Sequence, residues 1–412
     1  MTMEGMGLPR RVDTKSPGDP QSTPSHAFPP SHAPPAPENA EGTMRERKHV
    51  LRFEAPWPIH GLDWSQRPGE RGGWRLAIGS LIEEHVNKIQ IVTLPEFTAS
   101  RDDAHVDLAV LSEVDHGYPV TKIAWEPWKG GGSSTDLLAT TAEVVRIWEL
   151  PISGDGELTL RTSLCNTKSE FSAPLTSIDW CDVDPSLLIT SSIDTTCTLW
   201  NVETGQSTTQ LVAHDKEVYD VGFMPGSRDV FASVGADGTA RLFDLRALER
   251  STIVYSSPFA PANASALPVI PGVSLLRLQF NRVEANMLAT LHVATNIVHV
   301  LDVRRPGQPL IELRGHSSPV NTIGWAPHLR NLLVSGGDDS QVLVWDLEDN
   351  QHSNHPSENV MLGAPPPTAH KVISHPILAY TAEAEVDQLC WSKVLADRMC
   401  ISFGRHLQVL KI

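Results

Sequence analysis

The chain has 412 residues, 40% of them hydrophobic and 20% charged, and its 33 basic against 49 acidic residues leave a formal charge of −16. An anionic excess of that size excludes a surface that follows a nucleic-acid or anionic-membrane backbone by charge, so neither direct nucleic-acid binding nor membrane association is expected. Eleven Trp beside only four Tyr suggest a repeated structural position.

Residues 1–45 hold nine of the 32 prolines, in runs such as Phe28-Pro29-Pro30 and Pro34-Pro35-Ala36-Pro37. This Pro-rich tail cannot bury enough apolar surface to offset its ordering entropy and is predicted to be disordered. Charges over residues 1–48 cancel, six basic against six acidic, which puts the whole −16 on residues 49–412. From 46 to 412 the sequence changes to short runs of Val, Ile, Leu, Thr, Phe and Trp between Gly, Asp, Asn and Pro clusters, with no helical period, the pattern of an all-β domain. HVLRFEA (49–55) comes first. HGLDW ending at Trp64 follows, then KIAW at Trp125, TSIDW at Trp180, YDVGF at Phe223, LRLQF at Phe280, NTIGW at Trp325 and DQLCW at Trp391. Behind these anchors lie second runs such as LLITSS (187–192) and LLVSGGDD (332–339). Third runs follow, such as VRIWEL with Trp148, TCTLWN with Trp200, ARLFDL with Phe243, VHVLDV with Leu301 and QVLVWDL with Trp345. The polar or Pro-rich stretches 258–273 and 349–374 interrupt the pattern and read as long surface loops.

Seven units, each with several strands and a Trp-Asp-like end, resemble the WD-repeat family. The resemblance rests on the register of all seven copies and implies a seven-bladed WD40 β-propeller over 46–412. The last copy stops after its third strand, so HVLRFEA is expected to supply the missing outer strand and close the ring.

Further expectations follow from that resemblance. The family's hydrogen-bonded tetrad is complete in the sixth copy, as His316, Ser335, Asp339 and Trp345. The fourth copy has His214, Ser233 and Asp237 but Phe243, and the third has Thr190, Asp194 and Trp200 without the His. Because the set recurs it reads as structural, a way of satisfying buried polar groups. Residues four and six positions before each anchor are expected to surround the top of the channel as a protein-binding surface: His60, Thr121, Thr176, Glu217, Tyr219, Leu276, Asn321, Glu385 and Asp387. Tyr219 is its expected anchor.

No motif for catalysis or a cofactor is found. Glu83-Glu84-His85 are adjacent and so point apart, without metal-ligand spacing. Gly130-Gly131-Gly132 lacks the Lys and strand-to-helix setting of a phosphate loop. His352, His355, His370 and His375 are expected to be solvated in the long loop. The five cysteines (Cys165, Cys181, Cys197, Cys390, Cys400) form no Cys-x-x-Cys pair, which suggests a reducing compartment. No apolar run long enough for a membrane span and no secretory h-region are present, so cytoplasmic and nuclear localisation is expected.

The strings EAPWPIHGLDW, LAIGSLIEEHVNKIQIV, SSIDTTCTLW, AHDKEVYDVGF, FASVGADGTARLFDLR, NTIGWAPH and PILAYTAEAEVDQLCW narrow the resemblance. Together they are similar to the Transparent-Testa-Glabra type of WD-repeat protein, whose animal counterparts are associated factors of the cullin-four ubiquitin ligase. This implies a non-enzymatic scaffold with a protein kinase or transcription regulators as partners and no cofactor or metal. The alternative is a substrate receptor of the ligase, and a propeller enzyme is a third possibility. The ligase link has a signature, Asp-x-Arg at the end of a third strand, present as Asp244-Leu245-Arg246 and Asp302-Val303-Arg304. Each Arg can pair with the ligase adaptor or form a salt bridge to the neighbouring blade.

Overall fold

A computed structural model describes residues 50–83, 86–97, 107–131, 133–153, 156–165, 173–257, 273–348 and 370–412. The tail 1–45, Glu84, His85, Gly132, His352, His355 and most of the two predicted loops lie outside the described residues.

The apolar runs form strands according to how many of their faces are covered. Leu187–Ser192 and Arg398–Phe403 are buried along their whole length, because each is the second strand of a sheet sandwiched between two others. Gln206–Val212, at a sheet's outer edge, alternates exposed and half-buried residues. These strands assemble into seven sheets, antiparallel but for one edge pair in the fifth, with strands ending at Trp64, Trp125, Trp180, Phe223, Phe280, Trp325 and Trp391 innermost. Each innermost strand packs against the innermost strands on either side, and the strand ending at Trp391 meets the one ending at Trp64, so the ring is closed. Every aromatic anchor read from the sequence thus occupies the same structural position. The hydrophobic cores lie between blades. Ala289, Leu291 and Val298 of the fifth, for example, pack with Val320, Ile323, Trp325 and Trp345 of the sixth.

The seventh blade is built from both ends of the domain. Val50–Glu54 pairs antiparallel with His406–Lys411, from Val50 opposite Leu410 to Glu54 opposite His406. This is the closure that the sequence implies, and it leaves the last blade with four strands. The remaining tryptophans divide: Trp57 and Trp74 are buried in the core between the seventh and first blades, whereas Trp128 is half-buried on a loop.

One expectation needs correction. The stretch 349–374 is not loop throughout: Lys371–Ile373 forms a strand that pairs in parallel with Ile311–Arg314 and gives the fifth blade a fifth strand. Ile373 fills an apolar gap in the core between the fifth and sixth blades, which a composition-based reading of a polar segment could not anticipate. His370, expected to be solvated, instead lies with Nε2 3.1 Å from Glu312 Oε1.

Candidate functional site: the channel and its two mouths

Each innermost strand begins at one mouth of the central channel, the top, and ends with its anchor aromatic at the other. At the top, the pairing between first and second strands skips one residue in five blades: His60, Thr176, Tyr219, Leu276 and Asn321. In the second blade Thr141 accepts from the Thr121 amide at 2.9 Å while standing opposite Lys122. Ser402 does the same with Asp387 and Gln388 in the seventh. A β-bulge of this kind re-aims the extra side chain away from the regular pleat. The sequence-derived positions four before each anchor are therefore one structural feature repeated seven times.

These seven residues are half-buried, and Glu217 and Glu385 beside them are exposed. Several hold the blades together. Thr176 Oγ1 donates to Val218 O of the next blade at 2.6 Å, and Asn321 Nδ2 donates to Asp338 Oδ1 at 2.6 Å and Val386 O at 3.2 Å. Thr121 Oγ1 donates to Thr141 within its blade, and Asp387 Oδ2 accepts from the Gly404 amide at 3.0 Å. Burial, and then Asp338 and Glu385 nearby, raise the Asp387 carboxyl above its ordinary range. His60 is pulled down to about 4 by burial and the Arg277 charge, so it is neutral at pH 7. Among the described residues the side chains of Glu217, Tyr219 and Glu385 make no hydrogen bond or ion pair, which leaves them as open polar positions of the top mouth.

Below the mouth the channel encloses about 240 Å³. Its principal polar group is Asp220, which is buried. Oδ1 accepts from Ser177 Oγ at 2.5 Å and pairs with Lys122 Nζ at 3.1 Å, while Oδ2 accepts from the Leu278 amide at 2.9 Å. One carboxylate thereby joins four blades. Burial alone would raise its pKa, but Lys122, Arg277, Ser177 and the Leu278 amide together hold it below the ordinary value. Asp63, Asp179 and Gln279, each one position before an anchor, accept the main-chain N–H of the following blade's anchor at 2.8, 2.7 and 2.6 Å. Nothing in the repeat marks these side chains as ties between blades. Their alignment one place before the anchor is the only signal that could have found them.

The tetrad of the sixth blade forms one continuous chain of bonds. Trp345 Nε1 donates to Ser335 Oγ at 2.9 Å, Ser335 Oγ lies 2.7 Å from His316 Nε2, and His316 Nδ1 lies 3.0 Å from the Asp339 carboxylate. The directions agree if the hydroxyl donates to Nε2 and Nδ1–H donates to the carboxylate. Burial lowers the His316 pKa despite Asp339, which keeps the ring neutral. Gly315 precedes this His because a Cβ there would stand 2.6 Å from the Trp345 ring. In the fourth blade His214 makes the same contacts to Ser233 and Asp237, and Phe243 stacks on Phe231 at 4.9 Å in place of the indole bond. The second blade has a shorter version, in which Thr140 Oγ1 lies 3.2 Å from His116 Nε2 and accepts from Trp148 Nε1 at 2.9 Å.

At the bottom, Arg246 and Arg304 reach neither neighbouring blade among the described residues. Each bonds twice to its own Asp: Arg246 to Asp244 at 2.8 and 2.6 Å, Arg304 to Asp302 at 2.9 and 2.8 Å. Both arginine side chains remain more than half exposed, at 70% and 59%. The Asp clamps the guanidinium plane and leaves its outer edge facing solvent. Among the described residues no group of three or more His, Cys, Asp or Glu could hold a metal ion, and no helix is long and apolar enough to cross a membrane.

Residues 205–244 and 307–346 match the family model "WD domain, G-beta repeat"; these are the stretches that carry the complete His, Ser and Asp sets of the fourth and sixth blades. The DDB1- and CUL4-associated factor 7 homolog of Dictyostelium discoideum is 44% identical over 368 residues, which span 89% of this chain and 100% of the relative. The chain belongs to this family of WD-repeat proteins. An uncharacterized WD repeat-containing protein of Schizosaccharomyces pombe is 39% identical over 399 residues, 89% of this chain and 90% of its own length. A WD repeat-containing protein of Saccharomyces cerevisiae is 36% identical over 320 residues, 72% and 58% of the two chains. A propeller of the CUL4-associated factor family, with polar groups that tie blades together, fits a protein-binding scaffold.

Proposed function

We propose that this protein is a non-enzymatic scaffold that assembles protein complexes, with a protein kinase or transcription regulators docking on the top mouth around Tyr219, Glu217 and Glu385. The observation that carries this reading is the use made of the channel's polar groups. Asp63, Asp179, Asp220 and Gln279 all accept hydrogen bonds from a neighbouring blade. Groups tied in this way hold a rigid disc rather than await a substrate, and a rigid disc with open polar positions at its mouth is suited to holding partners. All five thiols are unpaired, in keeping with cytoplasmic and nuclear placement. Affinity purification of the full chain, compared with a Tyr219→Ala, Glu217→Lys double variant, tests the proposal. The expected result is a kinase or transcription regulator lost from the variant; recovery of identical partners by both would refute the top-mouth assignment.

The paired Asp-x-Arg geometry supports a second reading, a substrate receptor of the cullin-four ligase. The name of the Dictyostelium relative associates that protein with DDB1 and CUL4. Two clamped, exposed guanidinium groups suit bidentate contact with an adaptor. Arg246→Glu together with Arg304→Glu should abolish DDB1 co-purification, and unchanged recovery would remove the receptor reading while leaving the scaffold one intact.

A further inference from the structure

The loops that follow the innermost strands converge below the channel around a recess of about 360 Å³. Its wall includes Trp128 from the second blade, Arg282 from the fifth, Pro327 and His328 from the sixth, and Lys393 and Val394 from the seventh, and none of its lining residues is acidic. In a chain of net charge −16 this is a local reversal of sign. Trp128 stands apart from the hydrophobic cores. Arg67 covers one face of its ring at 4.3 Å, and that Arg is in turn held by Asp136, which also pairs with Arg75 at 2.8 Å. The indole is thus fixed in place at the edge of the recess.

The two cations opposite make few direct bonds among the described residues, although Asp63 and Asp179 lie with them along the channel. Among the described residues Arg282 has one ion pair, to Asp182 at 3.4 Å, and it keeps about a third of its side chain exposed. Lys393 makes no hydrogen bond or ion pair among the described residues. Burial and the neighbouring Arg282 lower its pKa to about 8, against the weaker opposing pull of Asp63, Asp179 and Asp182. An incoming carboxylate would relieve that repulsion and gain charge-assisted hydrogen bonds from both groups.

We infer that this recess docks an acidic peptide segment of a partner protein, with a carboxylate between Lys393 and Arg282 and an adjacent apolar side chain against Trp128. The apolar wall of Trp128, Pro327 and Val394 favours a peptide over a free inorganic anion. The chain's net charge of −16 would repel a long polyanion such as nucleic acid more than a short segment. This site is separate from both the top mouth and the Asp-x-Arg pairs; it rests on the scaffold reading only in taking a protein as its ligand.

The test is fluorescence anisotropy of the full chain with a labelled short peptide alternating glutamate and leucine. Binding should weaken with salt, and Lys393→Gln and Arg282→Gln should each reduce affinity about tenfold, the loss of one charge-assisted bond. Trp128→Ala should weaken it as well, and Val212→Thr on the exposed outer strand of the third blade should leave it unchanged. Because Lys393 is partly buried, melting temperatures are compared first; Arg282→Gln, at the surface, keeps the test valid if Lys393→Gln is unstable. Absence of peptide binding to the unmodified chain, or binding indifferent to Arg282 and Trp128, would overturn the inference. So would full displacement of the peptide by inorganic phosphate at equal charge concentration, or tighter binding of a single-stranded oligonucleotide through the same residues. Any of these failures would leave the partners recovered by affinity purification unaffected, so the scaffold reading is judged separately.

Discussion

Lys122 of the second blade reaches Asp220 of the fourth, Nζ to Oδ1 3.1 Å, past the third blade that lies between them. The pair is asymmetric: 1% of the Asp220 side chain is exposed against 36% of the Lys122 side chain. The carboxylate is the buried hub, and the ammonium closes it from the channel.

Removing the hub should therefore cost more than removing its cap. Asp220→Ala leaves Lys122, Ser177 and the Leu278 amide without their acceptor and should destabilise the fold by about 3–5 kcal/mol. Lys122→Ala leaves the hydrogen bonds from Ser177 and from the Val221 and Leu278 amides to the carboxylate and should cost less. Because the folded state holds Asp220 below its ordinary pKa, its contribution is present at neutral pH and lost as pH falls through the carboxylate range. Denaturant melts of both variants check the order, and equal losses would mean that Asp220 is not the hub.

A second acid-sensitive group sits in the fifth blade. His299 is buried with Nδ1 3.8 Å from Glu312 Oε1 and without a hydrogen bond among the described residues, it faces His292, Tyr255, Arg314 and His370 as well, and burial followed by the His292 charge lowers it from 6.5 to about 4. A histidine with a depressed folded pKa binds its proton more readily in the unfolded chain, so stability is full above about pH 6.5 and declines toward pH 4. By pH 5 this one group should have withdrawn about 2 kcal/mol. His299→Phe should flatten the stability profile between pH 6.5 and 5; an unchanged slope would assign the acid response to other groups.

Closure of the ring gives a third expectation. Deleting residues 1–45 should leave the melting temperature where it is, whereas deleting 1–55 removes the strand paired with His406–Lys411 and exposes the core around Leu51 and Phe53. The larger deletion should lower stability by several kcal/mol, on the order of the ~25 cal/mol per Å² of apolar surface returned to water. Equal melting temperatures for the two deletions would contradict the closure.

The tetrad of the sixth blade can be separated from its bulk. Trp345→Phe keeps the ring but removes the donor to Ser335, which retains His316, so the cost should be about 1 kcal/mol beyond the lost area. His316→Ala takes the acceptor from the Ser335 hydroxyl and one donor from Asp339, leaves a cavity in the blade and should cost about 3 kcal/mol. Thermal melts of the two variants test the ranking, and a larger loss for Trp345→Phe would reverse it.

Much of this architecture is determined by the sequence itself. Seven aromatic anchors and the runs behind them specify seven blades, because each innermost strand must end in a large apolar side chain packed between neighbouring sheets. The missing outer strand of the last copy specifies closure, and counting back from the anchors marks the seven bulge residues from His60 to Asp387. Only the tertiary structure decides which polar side chains meet. Lys122 and Asp220, His370 and Glu312, and Trp128 with Arg282 and Lys393 come from different blades or distant loops, and local pattern carries no record of such distances. Likewise, Lys371–Ile373 becomes a strand only because the edge at Ile311–Arg314 offers unpaired backbone groups and a gap for Ile373. Periodicity encodes what each strand buries against its neighbours, whereas closing the ring brings together charges from separate copies, and those meetings form the channel and its two mouths.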